Sequence, residues 1–243
     1  TSRSAQYIQM TGLMSVLRSV TARLPTGTVF RAAQSIGVES VLLRAYWAAV
    51  STVSNGTRTL SCAGVESEFA VTSLSDHRIT TVGFSNERPV YEDLLSTVRE
   101  DDVFLDVGAN VGTFTCLVGK RAGGVVAVEP HAENVERLRR NLALNDLDID
   151  VVESVLWNET DTLKLDLSPH SALQHSLKRP QREESVEVSA VPGDHLVKAG
   201  RIDHPTVIKL DVEGAEIEVL KGLSETLSSE RCRVVYCEPH PPH

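Results

Sequence analysis

Between Asp101 and Phe114 the chain reads DDVFLDVGANVGTF, and this stretch limits the fold more than any other. Val103, Phe104, Leu105 and Val107 form an apolar run too short for a helix, which predicts a strand buried on both faces with Asp106 near its end. Gly108, Asn110 and Gly112 follow as a turn that lets the backbone bend sharply and approach something closely. From Thr113 an apolar pattern resumes, suited to a helix closing near Gly123 and Gly124. Val125, Val126, Ala127 and Val128 predict a second buried strand, ended by Glu129 and Pro130. Strand, glycine turn, helix and strand make the opening unit of a doubly wound α/β sheet of mostly parallel strands.

Glu129 lies 21 positions after Gly108, close to the roughly 20 at which an acid at the tip of the next strand reaches ribose hydroxyls. The spacing therefore predicts a ribose-bearing cofactor. A pyrophosphate binder wants glycines in the G-x-G-x-x-G register, whereas Asn110 and Thr113 break it here. The carboxylate of Asp106 would also repel a pyrophosphate but suits a ligand with an amino group and a positive sulfonium, such as S-adenosyl-L-methionine. A nicotinamide-dependent oxidoreductase on a similar sheet is an alternative, and a cofactor-binding module without catalysis is another.

Residues 1–53 are expected to be a helical extension. Leu13, Leu17, Val20 and Leu24 recur at helical spacing before Pro25, and a second helical stretch runs from about Val29 to Val53. Residues 54–86 predict a small antiparallel β segment of two or three strands, including RITTVG, with turns at Gly64 and around Asp76. Residues 87–243 form the main domain. In it Pro89–Arg99 should be a helix presenting Tyr91, Leu94, Leu95 and Val98 to the core. The segment after Pro130 is a helix through Val135, Leu138 and Leu142. Asp150–Val155 is the third parallel strand, with Ser154 and Val155 near the adenine end of a cofactor held by Glu129. Leu163–Leu167 and Ser185–Val191 alternate like strands, and the polar loop between them carries His170 and His175 as candidate substrate contacts.

Val207, Ile208 and Leu210 form another strand ending at Asp211, and the following helix should bury Ile217, Val219, Leu220 and Leu223. In a doubly wound sheet this strand crosses to the far side of the first, which brings Asp211 beside the Asp106 loop. Asp211, Glu213 and Glu216 stand close in sequence, and such like charges repel unless a site uses them. Arg233–Glu238 gives a fifth strand, placing Glu238 and His240 on the same carboxyl edge.

Net charge is −9, distributed unevenly: five arginines against one glutamate give +4 through Val53 and leave −13 for the rest. The acidic body argues against nucleic acid as partner. The basic front is a candidate for peripheral contact with a membrane or a lipid-linked substrate. Cys62, Cys116, Cys232 and Cys237 show no zinc-ligand spacing and read as buried free thiols, which favours a reducing, cytoplasmic setting. No apolar run reaches eighteen residues. The chain opens on Thr1 rather than Met, so targeting is not legible.

DVFLDVGANVGTFT, VVAVEPHAENVERLRRNLALN, IKLDVEGAEIEVLKG and VVYCEPHP together resemble the FkbM-type S-adenosylmethionine-dependent methyltransferases, from about Glu87 to His243. The resemblance implies the methyltransferase form of the Rossmann-like sheet and methyl transfer to oxygen on a sugar, glycan, glycolipid or related natural product. It implies that Asp106, Gly108, Asn110 and Gly112 cradle the methionine part, that Glu129 holds the ribose, and that Asp211 faces the methyl or the acceptor; Thr113 and Pro130, next to these, are further candidate cofactor contacts. Two further strands after the fifth would be expected, and this sequence ends before them. A sugar hydroxyl would be helped by a positioned base, for which Asp211, Glu213 and His240 are the candidates. Magnesium on Asp211 and Glu213 is the weaker alternative, and no metal site is assigned.

Overall fold

The computed structural model describes residues 56–166 and 185–240. The predicted helices of residues 1–53 and the loop carrying His170 and His175 lie outside the described residues.

Thr57–Cys62 (β1) and Val65–Ala70 (β2) pair as an antiparallel hairpin. Its two turn residues, Ala63 and Gly64, both have positive φ, as a tight hairpin requires. The third strand expected over RITTVG is absent. Leu74–Arg78 is a helix (α1), Ile79–Gly83 continues as a π-helical turn, and Phe84–Asn86 (α2) and Arg88–Thr97 (α3) follow. The β-branched run suggests a strand, but a capping box starts a helix just before it: the Ser73 hydroxyl accepts the Asp76 N–H while the Asp76 carboxylate accepts that of Ser73. Thr80 then donates its hydroxyl back to the Asp76 carbonyl at 2.8 Å, satisfying helical backbone where a strand would have needed a partner.

The central unit runs Val103–Val107 (β3), Thr113–Val118 (α4), Gly124–Val128 (β4), Ala132–Leu144 (α5) and Asp150–Val152 (β5). Helix α4 stops well before Gly123, because the N–H groups of Arg121 and Ala122 both close on the Val118 carbonyl and turn the chain. The chain continues through Val155–Leu156 (β6), Asp161–Asp166 (β7), Ser185–Val191 (β8) and Gly193–Lys198 (α6), and ends in Val207–Leu210 (β9), Glu216–Gly222 (α7), Ser224–Ser228 (α8) and Val234–Cys237 (β10).

Five strands form one parallel sheet in the order β10-β9-β3-β4-β5. Its two faces bury alternate residues. Phe104, Ala127 and Val207 point to a core shared with the hairpin, α3, α4 and α5, while Leu105, Val107, Ile208 and Leu210 pack toward Val219 and Leu223. Each large apolar side chain buried here contributes roughly 1.5–3 kcal/mol. This is the Rossmann-like, methyltransferase-type α/β architecture expected from the sequence.

The third central strand is shorter than predicted. It ends at Val152, and Val155–Leu156 joins β8 and β7 in a separate three-stranded sheet, since the Ser154 hydroxyl donates to the Ser189 carbonyl and the Trp157 N–H to that of Val191. Ile217, expected inside, is 67% exposed because α7 packs through Val219 and the neighbouring Leu223 instead. All four cysteines are free; Cys62 and Cys116 are buried as expected, but Cys232 is half-buried and Cys237 exposed, near or on the last strand at the sheet's edge. Among the described residues no helix is long and apolar enough to cross a membrane.

Candidate functional site

Strands β3 and β9 are neighbours, yet the chain leaves β3 toward β4 and leaves β9 toward β10. Their carboxyl ends therefore diverge into a crevice, the switch point where such sheets hold ligands. The turn after β3 fills one wall. Gly108, Asn110 and Gly112 have φ of 82°, 52° and 83°, and a Cβ on Gly108 would sit 1.9 Å from the Asp211 carbonyl oxygen. A Cβ on Gly112 would meet Leu138 Cδ1 at 2.1 Å. The turn is also tied from behind, where Asn141 donates its side-chain N–H to the Val111 carbonyl at 2.8 Å and accepts the Ala70 N–H from the hairpin.

Four of the five amides from Gly108 to Gly112 have partners within the protein. Gly108 and Ala109 both donate to the Val128 carbonyl, Gly112 donates to Ala109, and Asn110 donates to Glu129 Oε2 at 2.9 Å. A phosphate-binding loop must offer such groups to its ligand. This one has few to offer.

The crevice has two lobes that share Gly108, Asn110, Asp211 and Glu213. The first encloses about 630 Å³, including its mouth, and adds Glu129, Pro130, Asn134, Ser154, Val155 and Leu165. Glu129 is buried and receives N–H groups from His131, Asn134 and Asn110. Burial pushes its carboxyl above the usual range, with the His131 and Asn110 amides pulling the other way. A carboxylate has about four acceptor positions, so one remains for a ligand hydroxyl. Ser154 lines this lobe with its hydroxyl committed to Ser189.

The second lobe, about 760 Å³ with its mouth, is lined by Glu87, Tyr91, Thr113, Lys209, Glu238 and His240 together with the shared residues. Tyr91 donates to the Thr113 hydroxyl at 2.8 Å and stacks on Phe114 with ring centres 3.8 Å apart. Lys209 is buried in β9, its ammonium 4.3 Å from the Phe114 ring centre and 3.1 Å from Asp211 Oδ2. Burial opposes that charge, but Asp211 and then Asp106 hold the lysine above its ordinary value. Glu87 is pushed up to about 7 by burial, with Asp211, Glu238 and Asp106 adding to the shift and Lys209 opposing it.

Asp106 is placed beside Lys209 in register and is fully buried beneath the turn. Its Oδ2 accepts from the Thr115 hydroxyl at 2.6 Å, and its Oδ1 has no hydrogen-bond partner among the described residues. Neither Asp106 nor Gly112 lines either lobe; they shape the floor. The other sequence-predicted residues, Gly108, Asn110, Thr113, Glu129, Pro130, Ser154 and Val155, all face the crevice. Asp211, Glu213 and His240 converge at the second lobe. His240 Nδ1 lies 2.9 Å from Glu216 Oε1 and its Nε2 3.6 Å from Glu213 Oε2. Burial works against its charge, yet the Glu216 contact and the Glu213 and Asp211 carboxylates hold it above its ordinary value. Sequence reasoning gave no role to Lys209, Glu87 or Asn134 and assigned Tyr91 to the core alone. A lysine inside the apolar run VIKL was a readable signal, because a cation seldom enters a buried strand without a partner.

Residues 106–243 match the family model for the methyltransferase FkbM domain. Among curated proteins, the chain is 34% identical over 143 residues to "Hexuronic acid methyltransferase AglP" of Haloferax volcanii, covering 59% of each. It is 28% identical over 165 residues to "Methyltransferase sdnD" of Sordaria araneosa, covering 54% of this chain and 64% of that one. The chain thus spans about three fifths of the length of these relatives. A crystal structure of methyltransferase FkbM from Methylobacillus flagellatus aligns with a TM-score of 0.42 at 22% identity, over 58% of this chain and 33% of that one. With the family's pattern running from the Asp106 strand to the end of the sequence, the chain belongs to the FkbM methyltransferase domain family.

Proposed function

We propose that this protein binds S-adenosyl-L-methionine at the switch point and transfers its methyl group to an oxygen of a sugar, glycan or glycolipid. The observation that carries this reading is the pairing of Glu129 with a glycine turn most of whose amides are bonded within the protein: the site offers a ribose acceptor and little of a phosphate cradle. The same observation disfavours a nicotinamide dinucleotide. Carboxylates outnumber cations around the second lobe, which suits a ligand bearing an ammonium and a sulfonium.

When bound, the cofactor would supply an electrophilic methyl group. Glu129 would accept ribose hydroxyls, and Pro130 and Val155 would offer apolar surface to the adenine. Gly108 and Asn110 would give the close backbone approach that orients the rest. In the second lobe Asp211 and Glu213 would orient an acceptor hydroxyl or take its proton, and His240 beside them would help hold the acceptor or share that proton. Support for a sugar acceptor comes from the relative named for hexuronic acid, and the basic residues 1–53 would bring a lipid-linked acceptor close if they touch a membrane.

Calorimetric titration of the full chain with S-adenosyl-L-methionine, followed by methyl transfer to uronic acid-containing glycans, tests the proposal. Binding with a methylated sugar product is expected; no binding would overturn it.

A further inference from the structure

Asp211 lies just past β9 and His240 just past β10, yet the parallel pairing of these strands brings both to one rim, where Glu213 joins them. One ligand atom from each of the three lies within 4.8 Å of the other two. Two carboxylate oxygens and an imidazole nitrogen form a donor set for a divalent cation of the magnesium or manganese class.

A residue outside the trio points the same way. Glu216 Oε1 is 2.9 Å from His240 Nδ1, and the Gly214 N–H, 2.8 Å from that same oxygen, holds the carboxylate in place. A proton shared on Nδ1 leaves Nε2 turned toward Glu213, the arrangement in which a second carboxylate orients a metal-binding histidine. Among the described residues, the hydrogen bond that Lys209 donates to Asp211 goes to Oδ2. The surrounding lobe carries Glu87 and Glu238 as well, an excess of negative charge that would repel an acidic sugar unless a cation offsets it.

We propose that Asp211, Glu213 and His240 bind one divalent cation, and that the acceptor docks on it through two neighbouring oxygens. An octahedral ion held by three protein donors keeps about three positions open, enough for a vicinal diol or a hydroxy-carboxylate. The cation would also lower the pKa of a coordinated hydroxyl, easing loss of its proton to a lobe carboxylate. The acceptor part of this inference rests on the methyltransferase reading; the cation site does not.

The test is titration of the full chain with Mn2+, without cofactor or acceptor, followed by electron paramagnetic resonance. One ion per chain is expected, with nitrogen hyperfine coupling from a directly bound imidazole. Glu213→Gln and His240→Ala should weaken binding about 10–100-fold at unchanged circular dichroism. Absence of Mn2+ binding, or of the nitrogen coupling in the unaltered protein, overturns the site even if a variant fails to fold. S-adenosyl-L-methionine binding, measured separately, distinguishes the two ideas: retained cofactor binding without Mn2+ binding sinks only the cation site, and the reverse sinks only the methyltransferase reading.

Discussion

The carbonyl oxygen of Asp211 occupies the space where a side chain on Gly108 would begin, 1.9 Å from an ideal Cβ. Two segments about a hundred residues apart are thereby locked together at the centre of the crevice. Gly108→Ala should destabilise the protein by at least the roughly 1–3 kcal/mol of a non-glycine residue in this conformation, and the steric overlap should add to it. Urea unfolding of the variant measures the loss; an unchanged midpoint would show that the turn and β9 are not so coupled.

Glu129 joins the turn to the first lobe through the Asn110 N–H and is the proposed ribose acceptor. Glu129→Gln keeps the shape but removes a charged acceptor and turns an amide toward backbone donors. Cofactor affinity should fall about 10–100-fold, the equivalent of losing one charge-assisted hydrogen bond. Calorimetry on a variant that still unfolds cooperatively would detect it.

Glu87 has its pKa raised to about 7, so it is largely protonated at pH 6 and ionised at pH 8. A cationic ligand prefers the ionised form. Affinity for S-adenosyl-L-methionine should therefore rise between these pH values by about fivefold, as one charge a few ångströms away in a watery cleft contributes about 1 kcal/mol. Glu87→Gln should flatten that dependence, and a parallel rise in the variant would assign it to another group.

Asp76 and Asp102 behave oppositely. Burial alone would raise both, but Arg137 and the Ser73 and Thr72 donors outweigh it at Asp76, as Arg233 and Thr206 do at Asp102, so both are held below the ordinary 3.8. The stability these carboxylates contribute is present above about pH 4 and lost as pH falls through their lower folded values. Asp76→Asn should cost about 2 kcal/mol at pH 7, less than a fully buried pair because Arg137 keeps some contact with water, and the cost should shrink below pH 4. Acid titration of thermal midpoints for both proteins checks the sign.

Much of the fold was legible because its signals are local. The runs VFLDV and VVAV have strand length and no helical period, the turn between β3 and α4 needs positive φ where glycine and asparagine stand, and α5 declares itself by apolar spacing. The distance from Gly108 to Glu129 is likewise set by one helix and two turns. RITTVG misled because its β-branched residues speak for a strand only when a partner strand exists, and here the Ser73 and Asp76 cap came first. The shared edge of Asp211, Glu213 and His240 followed from the expected strand winding, but their side-chain contacts, and the partners of Lys209 and Glu87, were decided by tertiary structure. Strand order places β9 between β3 and β10, and burial then gives each charge its partners and its proton affinity. Sequence spacing can specify which residues share a strand end, but which strand ends share a crevice depends on how the whole sheet is wound.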